Sequence, residues 1–245
     1  IDGATLRDLE PALSKDIRKA AVLPDNRTVR DPLAIVERLT EILNENGTQV
    51  ITGEVTDVER GEGVNRVRLA DGRTIQSDHV VICAGAHSAT LAARLGEPIP
   101  LETERGYSTQ IMDPGVSLNH SIIWPAKAFM VSPTAGGIRV GGTVEMAGLE
   151  AAPNYQRAKI TVRSAKAAVP DLKVAEATEW MGHRPALPDT IPILSASAKT
   201  KGVFYATGHG HLGLTLAATT ARLMGQLIAG NKTDISLTPY RIDRF

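Results

Sequence analysis

Apolar residues recur at helical spacing in one early stretch of the chain. From residue 31 to residue 47 an apolar side chain appears every three or four positions. Asp31 supplies an N-cap, Pro32 occupies the first helical position and Gly47 follows the last turn, so the pattern predicts a helix between them. Residues 48–58 then favour extended structure.

The next stretch predicts a hairpin followed by a buried strand. Residues 61–63 indicate a turn, and Asp71-Gly72 is a typical hairpin signal. The most apolar run, residues 79–84, predicts a buried strand, and a short helix is expected after it up to Gly96. This order is typical of part of a doubly wound α/β sheet that carries a hairpin insertion.

The pattern changes after Pro98 to short runs with a period of two, which predict antiparallel strands. These runs occupy residues 106–111, 121–124, 128–131 and 138–144. Residues 153–169 return to helical spacing among lysines and arginines, so we expect a helix that faces solvent. The chain thus leaves the doubly wound part and builds an antiparallel sheet.

The last regular unit is a strand, a glycine turn and a helix. Residues 203–207 predict a buried strand, Gly208, Gly210 and Gly213 form the turn, and apolar spacing continues to about residue 229. Such a turn directs free N–H groups and the positive end of a helix dipole beyond the strand, where open α/β sheets bind ligands.

The three glycines spell G-x-G-x-x-G, but we do not interpret them as the start of a dinucleotide-binding fold. That fingerprint requires a second βα unit with an acidic residue about 20 positions later. Here Gly230 ends the helix, and residues 231–245 are too few for another strand and helix. The turn therefore closes a sheet, and the main binding unit of its ligand is expected elsewhere.

Composition excludes several classes of partner. The chain has 27 basic and 27 acidic residues, so no general attraction to nucleic acid is expected, and an aromatic content of 4% argues against base stacking. The single cysteine, Cys83, lies in the apolar run and is expected to be a buried hydrophobe. Without an internal disulfide, an intracellular, reducing compartment fits best, which predicts a cytoplasmic protein.

Several short motifs, taken in order, resemble the D-amino-acid-oxidase-like family of FAD-dependent enzymes. They are Arg30-Asp-Pro32, Gly53-Glu-Val55, Val80-Val-Ile-Cys-Ala-Gly85 with Ala86-His-Ser88, Arg105-Gly-Tyr107, Gly182-His-Arg-Pro185 with Pro188-Asp189 and Pro192, and Thr207-Gly-His-Gly-His-Leu-Gly-Leu-Thr215. The resemblance covers nearly the whole chain. It implies a mixed α/β fold, made of part of a doubly wound FAD-binding domain and an antiparallel substrate domain.

The resemblance also divides the chain. Residues 30–100 and 186–245 are expected to belong to the FAD-binding domain, residues 101–185 to the substrate domain, and residues 1–29 to an excursion into it. The family's first βαβ unit, which cradles the FAD pyrophosphate, has no counterpart here. We therefore expect a C-terminal portion of such an enzyme, with that unit in a second chain or another segment.

The activity implied by the resemblance is oxidative deamination of D-amino acids by hydride transfer from the substrate Cα to flavin N5, of the dehydrogenase type. The substrate is a small amino or imino acid, and the electron acceptor is not identified. Two alternatives remain open: a glycine- or sarcosine-type oxidase that uses oxygen, and a non-catalytic remnant or subunit. Peripheral contact with the inner membrane also remains open.

The same resemblance assigns site residues. Arg184 is expected to bind the substrate carboxylate, for which its planar guanidinium is suited, and Tyr107 to hydrogen-bond the substrate. The expected cofactor contacts are Val55, Ala84, Gly85, Gly208, His209, Gly210, His211, Leu212, Gly213 and Thr215.

Each assignment has a structural alternative. Arg184 could form an ion pair with an acid such as Glu179, Tyr107 could only pack, and Trp124 and Trp180 are expected in the core. His209 and His211, two positions apart, could suggest a metal pair, but no third ligand cluster is evident, so no metal is predicted.

Overall fold

The computed structural model describes residues 1–61 and 63–245, and it divides into two compact units. The first unit comprises Ile1–Val50, Arg105–Glu145 and Ala152–Gly182, and the second comprises Ile51–Glu104, Met146–Ala151 and His183–Phe245. The assignment of these regions to cofactor and substrate remains a prediction.

The first unit contains three helices and most of an antiparallel sheet. The helices are α1 (Gly3–Leu9), α2 (Pro32–Glu45) and α4 (Gln156–Ala168). The strands of the sheet are β5 (Glu102–Ile111), β6 (Ile122–Trp124), β7 (Phe129–Thr134), β8 (Gly137–Gly141), β9 (Glu145–Met146) and β10 (Ala177–Ala186). Their order is β10-β5-β8-β7-β6, with β9 also paired to β5, so the predicted antiparallel architecture is confirmed.

One face of this sheet packs against α4 and forms the core of the first unit. Ile111, Val131 and Val140 are completely buried there, together with Ala165 of the helix. The helix predicted to face solvent thus buries one side, because its small residues Ala158, Ala165 and Ala168 allow close approach to the strands.

Helix α2 begins and ends as predicted. The Asp31 carboxylate accepts a hydrogen bond from the Ala34 N–H at 3.0 Å, and Pro32 occupies the first turn. None of its residues is buried, however, and Leu33, Val36 and Leu39 are each more than half exposed. The amphipathic pattern predicted the helix correctly, and its apolar face lies open in the described structure.

The described residues of the second unit form two small sheets and two α-helices. The strands β1 (Val55–Arg60), β2 (Asn65–Leu69) and β3 (Thr74–Ser77) form an antiparallel sheet, while β4 (Val80–Ile82), β12 (Val203–Thr207) and β11 (Ile193–Ala196) form the other. Helix α3 (Ser88–Arg94) packs against β1, and α5 (Gly213–Ile228) packs against β11 and β12.

One strand of the second unit differs in its bounds from the predicted extended stretch. That stretch was residues 48–58, whereas β1 covers Val55–Arg60, because pairing begins at Val55 opposite Leu69. The turn predicted at residues 61–63 includes Glu62, which lies outside the described residues. The hairpin at Asp71-Gly72 is present, with a φ of 89° at Gly72.

The run at residues 79–84 is also less buried than expected. The strand is short, Val80–Ile82, and Ile82 is buried, whereas Val81 is 38% exposed. Cys83 is exposed, so its predicted burial is wrong. The apolar pattern identified the strand but not what covers each side of it.

Within residues 1–61 and 63–245, no helix combines the length and hydropathy that crossing a membrane requires.

Candidate functional site

Two strands of the second unit end side by side and place two small-residue turns at one edge of a sheet. Strand β4 pairs with β12 in parallel, with Val80 opposite Val203 and Ile82 opposite Tyr205. The turn that follows β4 contains Ala84 and Gly85, and the turn that follows β12 is the glycine turn, residues 208–213. The carboxyl edge of such a parallel pair is the usual ligand-binding position in α/β sheets.

Thr207 joins the two turns. This residue is 1% exposed, and its hydroxyl donates a hydrogen bond to the carbonyl oxygen of Gly85 at 3.0 Å. No separate role of Thr207 was predicted from the sequence. A polar residue at the end of a buried strand, directly before a glycine turn, was the available signal.

The glycine turn needs glycine for two different reasons. Gly208 has a φ of 81°, and a Cβ there would lie 2.3 Å from Cδ1 of the buried Leu187. Gly210 has a φ of 54°, as does Gly85 on the neighbouring turn, and a Cβ at either position would meet no atom within 4 Å. The protein thus leaves open space above both turns.

Helix α5 begins at the end of the glycine turn without a side-chain cap. Its N-cap is Leu212, whose side chain makes no capping hydrogen bond. The first N–H groups of an α-helix have no intrahelical partner, so those of Gly213 and Thr215 are available to a ligand. The helix dipole favours negative charge at the same place.

The two histidines of the turn have different surroundings. His209 is half-buried, its Nε2 lies 3.0 Å from the hydroxyl of Thr220, and desolvation lowers the pKa of its imidazole. It lines an apolar cavity of about 460 Å³ together with Cys83 and Met224. His211 is exposed. Among the described residues, no three His, Cys, Asp or Glu side chains are grouped to hold a metal ion.

The Gly-His-Arg-Pro element is attached to the glycine turn. The N–H of Gly210 donates to the carbonyl oxygen of Pro185 at 2.8 Å. On the other side of Arg184, the Nδ1 of His183 lies 2.9 Å from the hydroxyl of the buried Thr103, and its ring makes an edge contact with His87. Both neighbours of the half-buried Arg184 are therefore anchored within the second unit.

Other predicted contacts are dispersed. Val55 opens β1, which belongs to the hairpin sheet and not to the sheet of β4 and β12. Ala84 is exposed at the end of β4. The structure thus groups Gly85 with residues 208–213, and the roles of Val55 and Ala84 remain predictions.

Tyr107 lies in the first unit and is 1% exposed. Its hydroxyl donates to the Glu145 carboxylate at 2.5 Å and accepts from the Asn154 N–H at 2.9 Å. The hydrogen bond from Tyr107 and a second one from Arg157 lower the pKa of Glu145. Since the hydroxyl has partners on both sides, the contacts favour the structural alternative, and a role in substrate binding remains a prediction.

The tryptophans differ from each other. Trp124 packs against the core of the first unit, with its ring 6.0 Å from that of Phe129, as expected. Trp180 is 57% exposed, so its predicted burial is wrong. Alternation along a strand predicts which residues share a face, but not whether anything lies on that face.

A parallel strand pair with glycine-rich turns at its carboxyl edge, combined with an antiparallel sheet, defines an α/β protein with a candidate ligand-binding edge. The family model for FAD-dependent oxidoreductases matches residues 1–227, and the chain belongs to that family. The resemblance deduced from the motifs is thereby confirmed, and FAD is the cofactor of the family.

Relatives and solved structures agree with this result. The chain is 35% identical over 244 residues to a D-amino-acid oxidase of Bradyrhizobium diazoefficiens, covering 98% of the chain and 58% of that protein. It is 29% identical to a D-amino acid dehydrogenase of Rhizobium rhizogenes, covering 97% of the chain and 58% of that protein. The chain therefore spans less than two thirds of the length of these relatives.

The fold resembles that of a glycine oxidase from Geobacillus kaustophilus, with a TM-score of 0.87 at 22% identity, over the whole chain and 66% of that protein. An L-proline dehydrogenase from P. horikoshii gives a TM-score of 0.80 at 19% identity, over the whole chain and 68% of that protein. These likenesses confirm the predicted mixed α/β fold class.

Proposed function

We propose that the protein containing this chain catalyses FAD-dependent oxidative deamination of D-amino acids. The observation that carries the proposal is the hydrogen bond between Gly210 and Pro185, because it joins the glycine turn to the residue that follows Arg184. A cofactor-binding turn and a carboxylate-binding arginine that are coupled in this way can hold two reactants in a fixed relation.

The residues present fit the ring end of FAD. The open space above Gly210 and the uncapped start of α5 offer room and N–H donors for an electron-rich carbonyl edge. Desolvation lowers the pKa of the His209 imidazole, so the environment disfavours the charged form of this side chain. We propose that Gly208–Gly213 and Thr215 contact the ring end, Ala84-Gly85 the phosphates or ribose, and Val55 the adenine. FAD, when bound, supplies the hydride acceptor.

Arg184 binds the α-carboxylate of the substrate in this proposal. The guanidinium presents a planar pair of donors that matches a carboxylate. The residues on either side of Arg184 are held in place by the hydrogen bond of Pro185 with Gly210 and by that of His183 with Thr103. The chain's own contribution to catalysis is therefore orientation. Among residues 1–61 and 63–245, the candidate site shows no carboxylate pair suited to proton transfer.

The proposed function has two versions, a dehydrogenase and an oxidase, which differ in the electron acceptor. The dehydrogenase version is supported by the relatives named D-amino acid dehydrogenase, and an oxidase that uses oxygen is supported by the relative named D-amino-acid oxidase, which is 35% identical. Hydrogen peroxide production, measured with and without an artificial electron acceptor, distinguishes them.

We further propose that the pyrophosphate cradle lies outside this sequence, in the same polypeptide or a second one. The test of the whole proposal uses the protein together with the segment or second chain that carries this cradle: the FAD-loaded assembly is mixed anaerobically with D-amino acids while flavin absorbance is followed. Bleaching by D- but not L-alanine supports the proposal. FAD that binds and is not reduced by any D-amino acid contradicts it, and absence of FAD binding favours the non-catalytic alternative.

A further inference from the structure

Thr103 is a buried polar residue of β5 whose hydroxyl reaches a neighbouring strand. It is 2% exposed, and its Oγ1 lies 2.9 Å from the Nδ1 of His183 on β10. The two strands are neighbours in the sheet, and both residues belong to the second unit. A hydrogen bond to a buried hydroxyl is costly to break, because the hydroxyl would be left without a partner. The contact therefore holds the ring of His183 in place.

The His183 ring also contacts the turn that follows β4. Its centroid lies 6.4 Å from that of His87, with an angle of 64° between the ring planes, which is an edge-to-face geometry. His87 ends the 3₁₀ helix Gly85–His87, and the carbonyl oxygen of Gly85 accepts a hydrogen bond from the hydroxyl of Thr207. The imidazole of His183 thus contacts both Thr103 and one of the two turns of the candidate site.

The backbone of Arg184 is held from both sides. Successive residues of a strand point to opposite faces, so anchoring the side chain of His183 limits the rotation of β10 about its own axis directly before Arg184. Arg184 also precedes a proline, which restricts its backbone to extended conformations. The carbonyl oxygen of Pro185 accepts the hydrogen bond from the Gly210 N–H at 2.8 Å. The direction in which the Arg184 side chain leaves the strand therefore depends on both contacts.

A second threonine of β5 shows that burial alone does not explain the contact of Thr103. Thr109 is 3% exposed, and within the described part of the chain its buried hydroxyl oxygen has no hydrogen-bond partner. This strand thus accommodates a buried threonine hydroxyl that is not paired. The pairing of Thr103 is specific to its place beside His183.

We propose that Thr103 is a positioning residue of the proposed reaction. Through His183 it holds the backbone of Arg184 so that the guanidinium presents its planar pair of donors to the substrate carboxylate. The inference rests on the proposed function. It assigns Thr103 no contact with substrate or cofactor, and loss of the hydroxyl acts by releasing the His183 ring. A guanidinium turned out of the plane of the carboxylate loses one of two parallel hydrogen bonds, which weakens binding.

The test removes the hydroxyl in the FAD-loaded assembly, which includes the segment or second chain that carries the pyrophosphate cradle. We expect Thr103→Val, which keeps the shape but not the hydrogen bond, to raise KM for D-alanine roughly tenfold while kcat changes less than about threefold. Thr103→Ser retains the hydroxyl, so its KM should stay within about twofold of the wild-type value. Thr109→Val is the matched control on the same strand, and both of its kinetic constants should be unchanged.

A double-mutant cycle tests whether the hydroxyl acts through His183. His183→Phe keeps a ring but cannot hydrogen-bond Thr103, so it should raise KM to a similar extent. Because both changes remove the same contact, the KM of the double variant should equal that of either single variant within about threefold, instead of rising roughly 100-fold. Independent effects that multiply would overturn the inference, as would a Thr103→Val protein of lower stability with wild-type KM.

Binding of propionate separates the inference from the proposed activity. This carboxylate has no amine to oxidise, and titration followed by flavin absorbance gives its dissociation constant in the same assembly. We expect that constant to be roughly tenfold higher in Thr103→Val and unchanged in Thr109→Val. If no D-amino acid reduces the flavin, the proposed function fails, and the difference in propionate binding still supports the role of Thr103 at a carboxylate site. Equal propionate binding by the wild type and Thr103→Val, or none by the wild type, overturns the inference, even where D-alanine reduces the flavin and the proposed function stands.

Discussion

The N–H of Gly210 donates a hydrogen bond to the carbonyl oxygen of Pro185 at 2.8 Å. This contact links a turn with positive φ at Gly208 and Gly210 to the residue that follows Arg184. A change in the turn is therefore transmitted to the backbone of the arginine.

Replacement of Gly208 and of Gly210 by alanine is expected to lower the stability of the protein by different amounts. Gly208→Ala combines positive φ with overlap of the buried Leu187, so the free energy of unfolding should fall by about 2–4 kcal/mol. Gly210→Ala has only the backbone cost, roughly 1 kcal/mol, because its Cβ enters open space. Urea denaturation measures both.

The affinity for FAD, measured by titration, further distinguishes Gly208→Ala from Gly210→Ala. The new methyl group in Gly210→Ala occupies the space assigned to the cofactor ring. The loss in free energy of FAD binding of this variant should therefore exceed its loss in free energy of unfolding. Wild-type affinity in Gly210→Ala would contradict the placement of the ring above this turn.

Replacement of Arg184 should weaken substrate binding much more than it weakens FAD binding. Loss of a bidentate, charge-assisted contact predicts a KM higher by roughly 100-fold in Arg184→Ala, and a smaller increase in Arg184→Lys, which retains the charge but not the planar pair of donors. Steady-state kinetics with D-alanine gives KM, and flavin absorbance gives FAD content.

Arg163→Ala is the control for Arg184, since Arg163 is an exposed residue of α4. Both kinetic constants of that variant should match the wild type. An unchanged KM in Arg184→Ala would remove the arginine from the substrate site and favour an ion pair as its role.

Tyr107→Phe tests the two roles considered for this tyrosine. The buried hydroxyl holds Glu145 and the Asn154 N–H, so its loss should lower the free energy of unfolding by about 1–2 kcal/mol. Because both hydrogen-bonding directions of the hydroxyl are used within the protein, we expect KM to stay within about twofold. An increase in KM without loss of stability would instead establish the predicted contact with substrate.

The pH dependence of stability should include a contribution from Asp189. Hydrogen bonds from Arg244 hold the pKa of this carboxyl below its ordinary value. A group whose pKa is lower in the folded state stabilises the protein above its unfolded pKa, about 3.9, and loses this effect as the pH falls through the folded value.

Asp189→Asn should therefore be less stable than the wild type by about 1 kcal/mol at pH 5 to 7, and the difference should shrink below about pH 4. Asp25→Asn, at an exposed turn, serves as the control with no such difference. Denaturation curves at several pH values measure both, and a difference that persists at pH 2 would refute the electrostatic explanation.

Local sequence rules predicted most elements of this fold because their signals act over a few residues. Asp31 and Pro32 define the start of α2, and Asp71-Gly72 defines a hairpin, through caps and turn geometry alone. Burial was predicted less well. Cys83 and Trp180 lie in apolar or alternating runs, yet both are exposed, since a pattern identifies a face without identifying what packs on it.

In the candidate site, too, local features were predictable from the sequence and long-range contacts were not. The glycines of residues 208–213 and the Gly-His-Arg-Pro element were recognisable by composition and resemblance. The hydrogen bonds of Thr207 with Gly85, of Gly210 with Pro185 and of His183 with Thr103 connect residues far apart in sequence. Such pairs depend on strand register and could not be read from local spacing.

The central claim is that the glycine turn holds the ring end of FAD while Arg184 holds the carboxylate of the substrate. A crystal structure of the protein with FAD and a bound carboxylate inhibitor tests it most directly. We expect the flavin carbonyl edge within hydrogen-bonding distance of backbone N–H groups in residues 210–215, and the inhibitor carboxylate paired with the Arg184 guanidinium. A flavin ring bound away from residues 208–215, or a carboxylate bound without Arg184, would contradict the account.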